Sequence, residues 1–184
     1  DWTDKIKGHE SIPESINGYL NGFGSNAHTM GMLVGALGGL STFYSDAGQL
    51  QEEEYLELHT ARLIGNVATI GAFSFRHSRG MPYIFPNQEL GFCENFLTML
   101  FTEDGSKYQA DPALTKALEV LFILHADHEQ NCSASTMRGI GSGGADPYSS
   151  LAGAAAALYG PLHGGANEAV LKMLGEIADV KNVP

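Results

Sequence analysis

Apolar residues recur along this chain at steps of three and four, and no stretch alternates polar with apolar for the length of a strand. Residues 28–44 are apolar on nearly every side, and Gly31, Gly35 and Gly39 recur every fourth residue there. That stripe predicts a helix buried in a core or laid against a second subunit, with close approach along the glycines. Residues 51–78 predict a long helix with Leu56, Leu63, Val67, Ile70 and Ser74 on one face. "RGMPYIFPNQ" ends it, since two prolines and Gly80 cannot continue a helix. Residues 90–101 resume the helical rhythm, and "EDGSKYQADP" reads as a loop.

Start signals support the same reading. Ser11-Ile12-Pro13-Glu14 predicts a helix start with a reciprocal cap between Ser11 and Glu14. Asp111-Pro112 predicts another, with an acceptor at the cap and proline in the first turn. Shorter helices are predicted over 132–140, 147–159 and 166–178, separated by glycine-rich turns. The expected fold class is all-α, a multi-helix domain.

Charge and cysteine content narrow the possibilities. A net charge of −11 over 184 residues makes a nucleic-acid partner improbable, because a phosphate backbone needs a basic surface. Two widely spaced cysteines, Cys93 and Cys132, suit a reducing compartment better than a disulfide framework. The uncharged run over residues 27–45 is marginal in length for a membrane span, and four glycines, two threonines and two serines dilute it. No membrane partner is expected. The polar, charged start and the amphipathic end without a closing element lead us to expect a piece of a larger domain, residues 1–184 forming one partial helical domain.

Two places carry candidate chemistry. After Pro112, Leu114, Leu118 and Leu121 step onward to His125 and His128, with Asn131 a turn later. This predicts an inward stripe ending in two histidines. They read as core histidines bonded to carbonyls or as a polar pocket; a metal site would need third and fourth ligands that no suitable spacing supplies. Ser133, Ser135 and Thr136 could pair with His128 as nucleophile and base, but no elbow exposes them. The glycines from Gly141 to Gly144 lack a preceding strand and read as turn chemistry.

His163 is different, because the stretch "LYGPLHGGANEA" holds it between a proline and two glycines just before a predicted helix. The positive end of a helix dipole disfavours imidazolium, so a histidine there is a neutral donor for an oxygen acquiring charge. Its presence in a helix–helix turn could equally be incidental.

"ILHADHEQN" (123–131) and "GPLHGGANEAVLKML" (160–174) resemble the citrate synthase family of bacterial type. "HTMGMLVGALGGLSTFY" and "RGMPYIFP" extend the resemblance along the chain. It implies a truncated large helical domain and condensation of acetyl-CoA with oxaloacetate to citrate and CoA. His163 would stabilise the acetyl enol or enolate, His128 would contact oxaloacetate, and His125 and Asn131 would line the same pocket. No cofactor and no metal are implied, acetyl-CoA being a substrate. A homodimer or higher homo-oligomer is implied, with the helices over 28–44 and 51–78 across the two-fold, and a cytoplasmic location. The family's further histidine, aspartate base and carboxylate-clamping arginines have no counterpart here. Arg62, Arg76, Arg79 and Arg138 stand in no matching motif, so the chain alone is expected to be inactive. Other expectations are 2-methylcitrate synthase, which would use propionyl-CoA, and a non-catalytic helical oligomerisation module.

Overall fold

The computed structural model describes residues 1–49, 53–103, 106–127 and 129–183. These form α1 (Trp2–Lys7), α2 (Glu14–Asn21), α3 (Thr29–Leu40), α4 (Glu53–Ser78), α5 (Phe92–Phe101), α6 (Pro112–Ala126), α7 (Cys132–Gly141), α8 (Pro147–Tyr159), α9 (Gly165–Ile177) and a 3₁₀ turn at Val180–Asn182. Among the described residues there is no strand, as the missing alternation predicts.

The core gathers between α2, α3, α4 and α8. Ile16, Leu20, Met32, Leu37, Leu40, Ile70, Phe73 and Tyr148 are all buried in it. Burying side chains of this size contributes about 1.5–3 kcal/mol each relative to leaving them in water, so this cluster carries the fold. Helix α4 is buried on most sides towards its C-terminus and packs against α1, α2, α3 and α5. Leu63, Ile70 and Ser74 of its expected face are buried, whereas Leu56, near its start, is exposed. The first residues of the predicted span, Gln51 and Glu52, lie outside the described residues. Helix α8 packs on both α3 and α7, which fixes the frame of the turn that follows it.

Polar groups close the helix ends. Arg76, buried in the last turn of α4, donates to the carbonyls of Met99 (3.2 Å), Leu100 (3.1 Å) and Thr102 (2.9 Å), and to that of Pro82. A guanidinium at the C-terminus of α5 satisfies carbonyls that the helix itself leaves unpaired. The loop after α4 lies back on the core, with the Tyr83 ring stacked on Phe73 at 4.4 Å.

Three local expectations are corrected. Ser11 does not cap α2; Pro13 holds that position without a side-chain bond. Asn66 Nδ2 donates to the carbonyls of His9 (2.7 Å) and Ser11 (3.3 Å), and Thr69 Oγ1 donates to that of Glu10 (2.6 Å). These bonds tie the segment to α4 as an irregular strap, so the helix starts two residues later. Gly65 makes the approach possible, since a Cβ there would lie 2.6 Å from the His9 carbonyl oxygen.

The helix expected over 28–44 stops at Leu40, where Ser41 Oγ and Thr42 Oγ1 donate to the carbonyls of Gly38 (3.1 Å) and Gly39 (2.8 Å). Its glycine stripe serves two neighbours rather than one. Gly35 faces the rings of Tyr19 and Phe23, Gly31 faces Tyr159, and Gly39 faces open space.

The third correction concerns α6. It begins as expected, with Asp111 Oδ1 accepting from Ala113 N–H at 2.7 Å, but none of its residues is buried. It rests on α5 through Phe122, whose ring lies 6.3 Å from those of both Phe92 and Phe96. The Leu114–Leu121–His125 stripe is therefore exposed. Several sides of this helix are apolar, so periodicity alone could not choose which one α5 covers.

Candidate active site around His163

Asp146 starts α8 by accepting from the N–H groups of Tyr148 and Ser149, both at 3.0 Å, with Pro147 in the first turn. The helix runs to Tyr159, and the chain then folds back on its end. Gly164 N–H donates to the Leu158 carbonyl at 3.0 Å, and His163 N–H donates to that of Gly160 at 3.0 Å. A Cβ on Gly164 would run into the Leu158 carbonyl, so this close approach requires glycine. Helix α9 begins at once, its cap at Gly164 making no side-chain bond. His163 thus sits half-buried two residues ahead of the first residue of α9, at the positive end of that helix.

Helix α7 supplies the ring's partner. Asn131 caps it through Oδ1, which accepts from Ala134 N–H at 3.0 Å. That cap directs Ser133, in the first turn, towards α8. Ser133 Oγ lies 2.8 Å from His163 Nε2 and 2.9 Å from the Ala154 carbonyl oxygen. One hydroxyl proton serves two acceptors, which creates two states. When Ser133 donates to Ala154, Nε2–H of His163 donates to Ser133 and Nδ1 is a bare acceptor. When the hydroxyl turns to donate to Nε2, the ring proton lies on Nδ1, which becomes a donor. The orientation of Ser133 therefore sets the tautomer of His163.

The other expected site residues are placed differently. His125 is exposed at the end of α6, where its Nδ1–H donates to the Leu121 carbonyl at 2.7 Å and leaves Nε2 as an acceptor. Asn131 commits its side-chain oxygen to the α7 cap, leaving its amide N–H groups for other partners. His128 lies outside the described residues. The structure thus brings His163 together with Ser133, a residue weighed from sequence only as a partner for His128. No local signal could have found this pair, because thirty residues and a helix hairpin separate its members.

All four arginines have partners within the chain. Arg62 Nη1 bonds both oxygens of Asp46 (2.8 and 2.9 Å), and Arg138 bonds Gln130 (3.0 Å). Arg79 stacks over Phe75 at 4.4 Å, and Arg76 is committed to carbonyls as above. A cavity of about 720 Å³ is walled by apolar residues such as Leu33, Val67, Phe96 and Phe122, and His163 does not line it.

Comparison with known proteins identifies the family. The family model described as citrate synthase, C-terminal domain, matches residues 1–184. A peroxisomal citrate synthase of Dictyostelium discoideum is 46% identical over 190 aligned residues, covering 100% of this chain and 39% of that protein. Citrate synthase 1 of Mycobacterium tuberculosis (strain H37Rv) is 44% identical, covering 97% of this chain and 41% of the relative. The chain therefore spans well under half the length of the curated relatives it matches. Among solved structures, citrate synthase from Pyrobaculum aerophilum superimposes with a TM-score of 0.86 at 30% identity, over 97% of this chain and 45% of the other. A ternary complex of the Thermoplasma acidophilum citrate synthase with carboxymethyl coenzyme A and oxaloacetate gives 0.84 at 25% identity, over 97% and 45%. With a family match along its whole length and the same all-helical fold, the chain belongs to the citrate synthase family.

Proposed function

We propose that the protein this chain represents condenses acetyl-CoA with oxaloacetate to citrate and CoA, and that His163 stabilises the acetyl enol. The observation that carries the reading is the Ser133–His163 contact at a braced turn ahead of α9. A base takes a methyl proton from the acetyl thioester, and the electron pair moves onto the thioester oxygen. A neutral His163, with Ser133 donating to Nε2, presents Nδ1–H to that oxygen. The N-terminus of α9 adds its own field to the oxyanion. The enol carbon then attacks the keto carbon of oxaloacetate, and hydrolysis of the citryl thioester releases citrate and CoA. His128, His125 and Asn131 are the residues proposed to contact or line the oxaloacetate pocket. Among the described residues the Asn131 amide N–H groups have no partner, which leaves them for a carboxylate and supports that role.

The aspartate base and the arginine clamp are not among these residues, and the four arginines present are engaged elsewhere. The chain by itself is therefore proposed to make no citrate. A homodimer across α3 and α4 is proposed for the assembled protein. Among the described residues no helix is long and apolar enough to cross a membrane, and two free cysteines, Cys93 buried and Cys132 exposed, support a reducing compartment. We place the protein in the cytoplasm; a peroxisomal signal in a tagged cell would revise that.

The deciding experiment replaces the aligned segment of the M. tuberculosis citrate synthase 1 with residues 1–184. The chimera should form citrate from acetyl-CoA and oxaloacetate, and His163→Ala should lower kcat by about 10²–10³, the usual cost of one oxyanion donor. A folded chimera without citrate formation, beside an active unsubstituted enzyme, overturns the reading. A higher kcat/KM with propionyl-CoA would assign 2-methylcitrate synthesis instead.

A further inference from the structure

The turn that carries His163 is flanked by one residue from a distant helix. His28 caps α3, its Nδ1 accepting from Met30 N–H at 3.1 Å. The same ring stacks on Tyr159 with centroids 4.8 Å apart and planes 29° from parallel. Tyr159 is the last residue of α8 and the neighbour of Leu158, whose carbonyl receives the Gly164 N–H that closes the turn. Gly31, in the first turn of α3, faces the Tyr159 ring, and a Cβ there would make an ordinary contact 3.9 Å from Cε1. On the far side of the turn stands Glu168 in the first turn of α9. Its carboxyl is held below the ordinary glutamate range first by its bond to Lys172 and further by the nearby His28 ring. His28 therefore touches the chain on the α8 side of residues 160–164.

We propose that His28 and Tyr159 form a positioning clamp that fixes the base of the 160–164 turn and thereby the approach of the His163 ring to Ser133. This role rests on the catalytic reading of His163 above. The cap orients the His28 ring through Nδ1, the stack passes that orientation to Tyr159, and the Leu158–Gly164 bond passes it to the turn. Both rings keep an exposed edge, Tyr159 being 46% accessible, so the pair adds little to global stability. Its loss should register locally rather than as unfolding.

The test follows the His163 ring nitrogens by long-range ¹H–¹⁵N correlation in the 184-residue chain, without turnover. His28→Asn keeps a good helix cap and removes the stack. Tyr159→Ala removes the stack from the other side, and Tyr159→Phe restores it. Ser133→Ala identifies the signals that report the Ser133 bond. We expect His28→Asn and Tyr159→Ala to shift or broaden the His163 signals in the direction that Ser133→Ala does, with Tyr159→Phe matching wild type and thermal midpoints nearly unchanged. Should His28→Asn lower the midpoint appreciably, Tyr159→Leu, which keeps an apolar contact on Gly31, takes its place. His163 signals that superimpose on wild type in the His28 or Tyr159→Ala variant overturn the clamp, as does a Ser133→Ala variant that leaves them unmoved. An inactive chimera with the expected spectra would discard the catalytic reading and leave the clamp standing.

Discussion

The Tyr148 hydroxyl lies 3.1 Å from Nδ1 of His59 in the middle of the core, and the direction of that bond is determined by a third group. His59 Nε2 lies 3.1 Å from the Asp46 carbonyl oxygen, which can only accept. Nε2 therefore carries the imidazole proton, and Nδ1 accepts from the tyrosine. Tyr148 must remain a phenol to hold this bond. Burial pushes its hydroxyl up to about 12, against the countering pull of Arg62.

Replacing Tyr148 by Phe leaves a buried imidazole nitrogen without a donor. Stability should fall by about 1–3 kcal/mol, the cost of an orphaned buried acceptor, measured by urea unfolding at neutral pH. A loss within experimental error would mean that water or a rotated His59 replaces the bond.

The same residue predicts an alkaline limit. Its folded-state pKa is raised above the ordinary value of 10, so the native state holds the proton more tightly than the unfolded chain. The stabilisation is complete below pH 10 and is lost as pH rises towards about 12. Stability measured against pH in wild type and Tyr148→Phe should show this slope in the former and a weaker one in the latter.

Glu10 is buried in the strap, where Asn95 Nδ2 donates to its Oε2 at 2.6 Å. Burial raises its pKa first, with Asn95 and Lys7 partly countering. Protonation is thus favoured in the folded state, and the associated stabilisation is lost as pH rises through the raised value. Glu10→Gln keeps an acceptor for Asn95 without the desolvated charge. It should raise the thermal midpoint at neutral pH and converge with wild type in acid, which scanning calorimetry at several pH values can check.

Gly164 and Gly153 give a contrast. A Cβ at either would collide with a neighbour, but the neighbours differ: the Leu158 backbone carbonyl for Gly164, and the flexible end of Ile140 for Gly153. Gly164→Ala should open the turn, cost about 1–3 kcal/mol as overpacking does, and remove most activity of the chimera. Gly153→Ala should be absorbed by rotation of Ile140 and leave kcat near wild type. Equal effects would contradict the account of the turn.

Ser133→Ala removes the group that selects the His163 tautomer while leaving the ring in place. The loss of one neutral hydrogen bond, about 0.5–1.5 kcal/mol, corresponds to a fall of about 2- to 13-fold in chimera kcat. KM for oxaloacetate should stay constant, because Ser133 faces the imidazole and α8. A change in KM alone would place Ser133 against substrate instead.

What sequence alone determined here is what physics makes local. Cap acceptors, prolines and apolar spacing act within about one helical turn, so Asp111-Pro112 and the 147–159 helix were legible to within a residue. The glycines around His163 likewise announced a tight turn before a helix. Long-range choices were not written in those signals. Ser11 carried a sound cap signature, yet Asn66 and Thr69, more than fifty residues away, tied its segment to α4 instead. Helix α6 offered several apolar sides, and only packing decided that Phe122 would meet α5 while the Leu114–His125 stripe stayed exposed. The partner of His163 was decided in the same way, since a hydroxyl thirty residues distant in sequence becomes a neighbour at 2.8 Å only once α7 has docked on α8.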